Sequence, residues 1–239
     1  FAYEPVIPGS VFGSMAVELI ATQRREYEKA ARDAISYFEQ AARRVNLTAE
    51  SRLETASLAE AANTFGALAR RFDLSIVAQA EPNNLPGREL IIEAALFESG
   101  RPVLVVPYIQ KEGLKLDKVT VCWDGSRNAA RAVADSLPFL KRAKAVEVVI
   151  VAGEPGKRGE IPGADIAHHL ARHGLKVELQ RIVVRDLDVA NTILSHAADA
   201  GTDLIVMGGY GHSRLREFVL GGATRGILSS MTVPTLMSH

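Results

Sequence analysis

Leu204-Ile205-Val206-Met207-Gly208-Gly209-Tyr210-Gly211, nine further residues, then Gly221-Gly222-Ala223-Thr224: the reading of this chain turns on that stretch. Four apolar residues read as a buried strand that runs into glycine. The later glycines open a helix expected over Ala223 to Met231. Glycines at a strand-to-helix crossing let backbone N–H groups come close to a ligand. A helix N-terminus adds unpaired N–H donors and a partial positive charge, which suit a phosphate.

Working outward, the same alternation continues on both sides. Val119-Thr120-Val121-Cys122-Trp123 is rich in β-formers, and Asp124-Gly125-Ser126 turns the chain. Ala130, Val133, Ala134, Leu137 and Leu140 recur at helical spacing between Arg127 and Arg142. Val146 to Val151 reads as a continuous apolar strand, Asp165 to His173 as a helix stopped by Gly174, and Val177 to Val184 as a strand. Val189 to Ala200 reads as a helix stopped by Gly201, and Val233 to Met237 as the last strand. Strands that alternate with helices and stay apolar throughout imply a parallel sheet buried on both faces.

The first half repeats part of this pattern. Phe72-Asp73-Leu74-Ser75-Ile76-Val77 matches Thr202-Asp203-Leu204-Ile205-Val206-Met207. Gly100-Arg101-Pro102-Val103-Leu104-Val105-Val106 matches Met231-Thr232-Val233-Pro234-Thr235-Leu236-Met237. The order strand, helix, strand, helix, strand recurs between Arg52 and Pro107, a repeat with a period of about 130 residues. A long helix is expected over Met15 to Arg44. The first strand, first helix and second strand of this copy are missing, roughly 40 residues by comparison with Lys118 to Glu154. Residues 1–108 are therefore expected to form a degenerate first domain and 116–239 a complete second one, joined by the polar linker Tyr108 to Asp117.

Composition narrows the function classes. With 28 basic and 28 acidic side chains in 239 residues, net charge gives no reason to expect a nucleic acid or an acidic membrane as partner. No apolar run is long enough to cross a bilayer. The N-terminus shows no signal pattern and no starting methionine, so upstream residues are expected to be missing. The single cysteine, Cys122, excludes an internal disulfide, which fits the cytoplasm.

In an open parallel sheet, ligands bind outside the carboxyl ends of the strands. Asp124 ends the first strand of the second copy as Gly208 ends the fourth, so both fall on one rim. The spacing Gly208-x2-Gly211-x9-Gly221, with Gly211-His212-Ser213-Arg214-Leu215-Arg216-Glu217 and the closing Val233-Pro234-Thr235-Leu236, resembles the universal stress protein family. The resemblance implies a Rossmann-like α/β fold: two repeats of a five-stranded parallel sheet with helices on both faces, the first repeat incomplete. It implies an adenine nucleotide, ATP or else ADP or AMP, with Mg²⁺ in attendance. Trp123, Asp124, Val151 and Ala152 would flank the adenosine. Gly208, Gly211, His212, Ser213, Gly221, Gly222, Ala223 and Thr224 would line the phosphates. It further implies pairing through the last strand, Val233 to Met237, either with the Val103 to Val106 strand or with another subunit.

One position departs from the family pattern. Gly222 stands where the family has serine or threonine. Losing a hydroxyl-to-phosphate bond costs about 1.5–3 kcal/mol, roughly 10- to 100-fold in affinity. Thr224 is a candidate to compensate in part. The first copy has Ala78-Gln79-Ala80-Glu81-Pro82-Asn83-Asn84 at the matching place, without glycine and with an acid that would repel phosphate, so no nucleotide is expected there.

Blander roles stand beside these. Asp124 is also suited to a turn or helix cap. Asp165, His169 and His173 share a helical face, read as solvated rather than metal-binding because a fourth ligand is lacking. Cys122 reads as a packed, inert thiol. His212 and Ser213, being adjacent, do not make a triad. Arg214 and Arg216 either reach phosphates or lie on the surface. Three functions remain open at this level: a nucleotide-binding stress protein, a strand-paired interaction module without nucleotide, and a slow ATP hydrolase.

Overall fold

The computed structural model describes residues 1–5, 14–81, 87–152, 163–183, 188–209 and 222–239. In chain order its elements are β1 (Ala2–Tyr3), α1 (Ser14–Arg44), β2 (Thr55–Ala56), α2 (Leu58–Ala69), β3 (Ser75–Ala78), α3 (Arg88–Phe97), β4 (Val103–Val106) and β5 (Lys118–Cys122). There follow α4 (Arg127–Leu140), β6 (Ala145–Ala152), α5 (Ala164–Arg172), β7 (Val177–Val183), α6 (Val189–Asp199), β8 (Leu204–Gly208), α7 (Gly222–Ser230) and β9 (Thr235–Ser238). By their contacts the residues fall into two units, 1–65 and 66–239.

The smaller unit holds β1, α1, β2 and most of α2. β1 and β2 are two-residue strands that pair in parallel, Ala2 with Thr55 and Tyr3 with Ala56. α1 is laced on its surface by i,i+4 ion pairs such as Arg32–Glu28 at 3.1 Å, each worth a few tenths of a kcal/mol. α2 starts with a capping box. Ser57 N–H donates to Glu60 Oε2 at 3.1 Å, and Glu60 N–H donates to Ser57 Oγ at 3.4 Å.

The larger unit is a seven-stranded sheet in the order β3-β4-β9-β8-β5-β6-β7, flanked by helices. The five strands of the second repeat are mutually parallel, and the expectation of apolar strands buried on both faces fails at the edge, where β7 (Val177–Val183) is polar and largely exposed. The first repeat contributes a parallel pair, β3 and β4. β4 meets β9 antiparallel, with Val103 opposite Met237, Leu104 opposite Leu236 and Val105 opposite Thr235. The last strand therefore finds its partner within the chain, in the Val103 to Val106 strand.

The core sits on the central strands. Val119 and Val121 of β5 and Leu204, Ile205 and Val206 of β8 are all fully buried. Each such side chain contributes about 1.5–3 kcal/mol on leaving water. Thr120, buried between the two valines, shares a 2.7 Å hydrogen bond with Thr202. β6 is not continuously apolar, because Glu147 stands in its buried half. Among the described residues, no helix is long and apolar enough to cross a membrane.

Candidate functional site

Because β5, β6, β8 and β9 are parallel, their carboxyl ends lie on one rim of the sheet. Asp124, Ala152, Gly208 and Ser238 stand at or just past those ends. α4 and α7 follow from β5 and β8 and so begin at this rim, each turning its N-terminal dipole toward it.

The turn after β5 is built from short polar contacts. Trp123 is half-buried against the core and donates its N–H to Val149 O at 2.9 Å. Asp124 is exposed, and its Oδ1 accepts the Ser126 N–H at 2.9 Å. Gly125 takes a left-handed φ of 74°, and Ser126 caps α4 by accepting the Ala129 N–H at 3.1 Å. The aspartate thus makes the turn and serine is the cap. The exposed carboxylate faces solvent. Val151 and Ala152 end β6, half-buried, opposite Ile182 and Val183 of β7.

The glycine crossing owes its first two residues to packing. A Cβ on Gly208 would stand 2.6 Å from Ala129 N and 2.7 Å from Asn128 C, against the first turn of α4. A Cβ on Gly209 would stand 2.7 Å from a Leu96 methyl. Gly222, the first residue of α7, is different: it is exposed, and among the described residues nothing lies within 4 Å of a Cβ. Ala223 is half-buried, and Thr224 is buried at 3% exposure, turned into the fold rather than toward solvent. Gly211, His212, Ser213 and Gly221 lie outside the described residues, as do Arg214 and Arg216.

Sequence reasoning missed two polar clusters. Asn128, 5% exposed, donates its Nδ2 to Gly209 O at 2.7 Å and lies 3.0 Å from His239 Nδ1. Its signal was an amide at the third position after a turn, which sequence alone does not separate from an ordinary helix residue. At the amino half of the sheet, buried Glu147 meets Lys118 Nζ at 3.3 Å and His196 Nε2 at 2.7 Å. A glutamate inside an apolar strand is the signal that could have revealed it.

Other expected residues have plain settings. Burial, then the charges of Asp124 and Glu147, pushes the Cys122 thiol up to about 12, so it stays protonated and unreactive at neutral pH although the residue is only half-buried. His169 and His173 stack edge to face with ring centres 4.9 Å apart. Among the described residues, no group of three or more His, Cys, Asp or Glu is placed to hold a metal ion.

This is a doubly wound α/β protein whose rim gathers glycines, two helix N-termini and the Asp124 carboxylate. Residues 115–239 match the universal stress protein family, and the chain belongs to that family. It is 29% identical over 143 residues to the universal stress protein Slr1230 of Synechocystis. That match covers 57% of this chain and 46% of the other, so the chain spans about half the length of the curated relative it matches. Its fold is similar to that of a universal stress protein from Archaeoglobus fulgidus, with a TM-score of 0.69 at 14% identity, covering 99% of this chain and 82% of that one.

Proposed function

We propose that the second repeat, residues 116–239, binds an adenine nucleotide of the ATP type at this rim and serves in stress response or signalling in the cytoplasm. The observation that carries the reading is the convergence of exposed Asp124, the carboxyl end of β6 and the glycine crossing at two helix N-termini. Asp124 would accept ribose or base hydrogen bonds. Trp123, Val151 and Ala152 would form the apolar side, and the backbone from Gly208 to Thr224 would meet the phosphates. Among the described residues nothing crowds a Cβ at Gly222, which suits a phosphate there. Mg²⁺ would arrive with the nucleotide.

The first repeat, residues 1–108, would be the structural partner. Where the second crossing has Gly209, the first has Gln79, 1% exposed and bonded on both sides. A homodimer through the last strand is not part of the reading, because β4 already holds that edge.

Calorimetric titration with ATP and Mg²⁺ tests it, beside Gly211→Val. One saturable site per chain, lost in the variant, is the expected result. An absence of heat up to millimolar ATP overturns it and favours a nucleotide-independent interaction module.

A further inference from the structure

The two crossings cover one another. Gln79 of the first repeat reaches α7 of the second, donating Nε2 to Leu228 O at 2.9 Å, while its Oε1 accepts the Tyr108 N–H at 3.3 Å. Reciprocally, α3 of the first repeat packs on the second crossing: Leu96 sits where a Gly209 side chain would be, and the Phe97 ring meets His239 edge-on at 4.9 Å. By the register of the two strand pairs, Pro107 and His239 hold equivalent places, one residue past β4 and β9.

Both polar groups of Gly209 are consequently pinned. Its N–H donates to Ser238 O at 2.8 Å. Its carbonyl accepts from Asn128 Nδ2 at 2.7 Å and lies 3.1 Å from His239 Nδ1. The direction in which the chain leaves β8 is set by this peptide group.

We propose that His239 is a positioning residue for the glycine crossing, acting with Asn128 on the Gly209 carbonyl, and that Phe97 of the first repeat seats the ring. The inference rests on the nucleotide reading only for its effect on affinity. The repeat that has lost its own site thereby tunes the site of the other. Touching no ligand, His239 works through the backbone.

The test compares His239→Ala, His239→Asn and Phe97→Leu in the full chain, with amide exchange of Gly209 read by NMR beside the ATP titration. Asparagine can place a polar atom near the Nδ1 position, whereas alanine cannot. In His239→Ala the Gly209 amide is expected to exchange roughly tenfold faster while Ile205 in mid-strand keeps its rate. ATP affinity should weaken about 5- to 10-fold. His239→Asn should restore both, and Phe97→Leu should fall between. Unchanged Gly209 exchange in His239→Ala, or uniform loss of protection across the sheet with no rescue by asparagine, overturns the positioning role. If the wild-type chain binds no ATP, the nucleotide reading fails on its own, and the exchange rates still decide the role of His239.

Discussion

The strand-to-helix crossings of the two repeats start from similarly patterned strands, with Asp73-Leu74 matching Asp203-Leu204, and end in opposite states. β3 leads into Ala78-Gln79 and β8 into Gly208-Gly209. In the first, a buried amide fills the crossing and ties α7 to the segment after β4. Arg88, at the start of α3, lies 3.1 Å from Glu81 and directs a longer, 3.4 Å bond at Gln79 O, so the helix N-terminus already faces a carboxylate of its own chain. In the second, Gly208 and Gly209 let α4 and Leu96 pack directly on the backbone, and α7 opens on an exposed glycine. One crossing is closed by a long side chain that fastens two elements, the other by neighbours that a Cβ would displace. The difference teaches that one topological place can be filled from within by a side chain or from outside by the approach of other elements.

The comparison breaks most sharply at Gly208. Valine there meets α4 backbone that cannot turn aside, so Gly208→Val is expected to lower stability by about 3 kcal/mol, measured by urea unfolding. Ala78, at the matching place in the first repeat, already carries a Cβ and is exposed. Ala78→Val should therefore cost far less. An equal loss at both places would show that the second crossing is no tighter than the first.

Gln79→Ala comes next. It strips partners from Leu228 O and Tyr108 N and is expected to cost about 2 kcal/mol, with ATP affinity unchanged. A change in affinity larger than threefold would mean that the first crossing is not purely a fastening.

Gly222→Ser has the smallest structural effect. Among the described residues nothing crowds its Cβ, so unfolding should shift by less than about 0.5 kcal/mol. The added hydroxyl should tighten ATP by about tenfold, near 1.4 kcal/mol. Titration that shows no gain would place the phosphates away from the start of α7.

Much of the fold was legible because the central strands are buried on both faces and so read as unbroken apolar runs. The periodicity of α4, the stop at Gly201 and the kinship of β3 with β8 all lay in the sequence. The candidate site was legible in part. Asp124 and the glycines announced themselves by type and place, yet Gly208 and Gly209 answer first to neighbours far along the chain, Ala129 and Leu96. Asn128 and Gln79 were illegible for the same reason, whereas Glu147 left a trace as an acid in an apolar strand. A polar residue in an apolar segment acquires its meaning from the partner it meets, and that partner lies in another element. The two-residue strands β1 and β2 are too short to leave any periodic trace.

The antiparallel seam of β4 and β9 has a kinetic consequence. It joins strands roughly 130 residues apart, and closing so long a loop must precede any gain from the contact. The parallel strands of the second repeat involve shorter closures, so that repeat is the natural template, and the seam zips up late against it. Ribosomal synthesis delivers the strands in the reverse order: β4 emerges early and must wait for the last residues of the chain before its edge is covered. During that interval Val103 to Val106 is an exposed apolar strand, the segment at which a slowed or truncated synthesis would aggregate first.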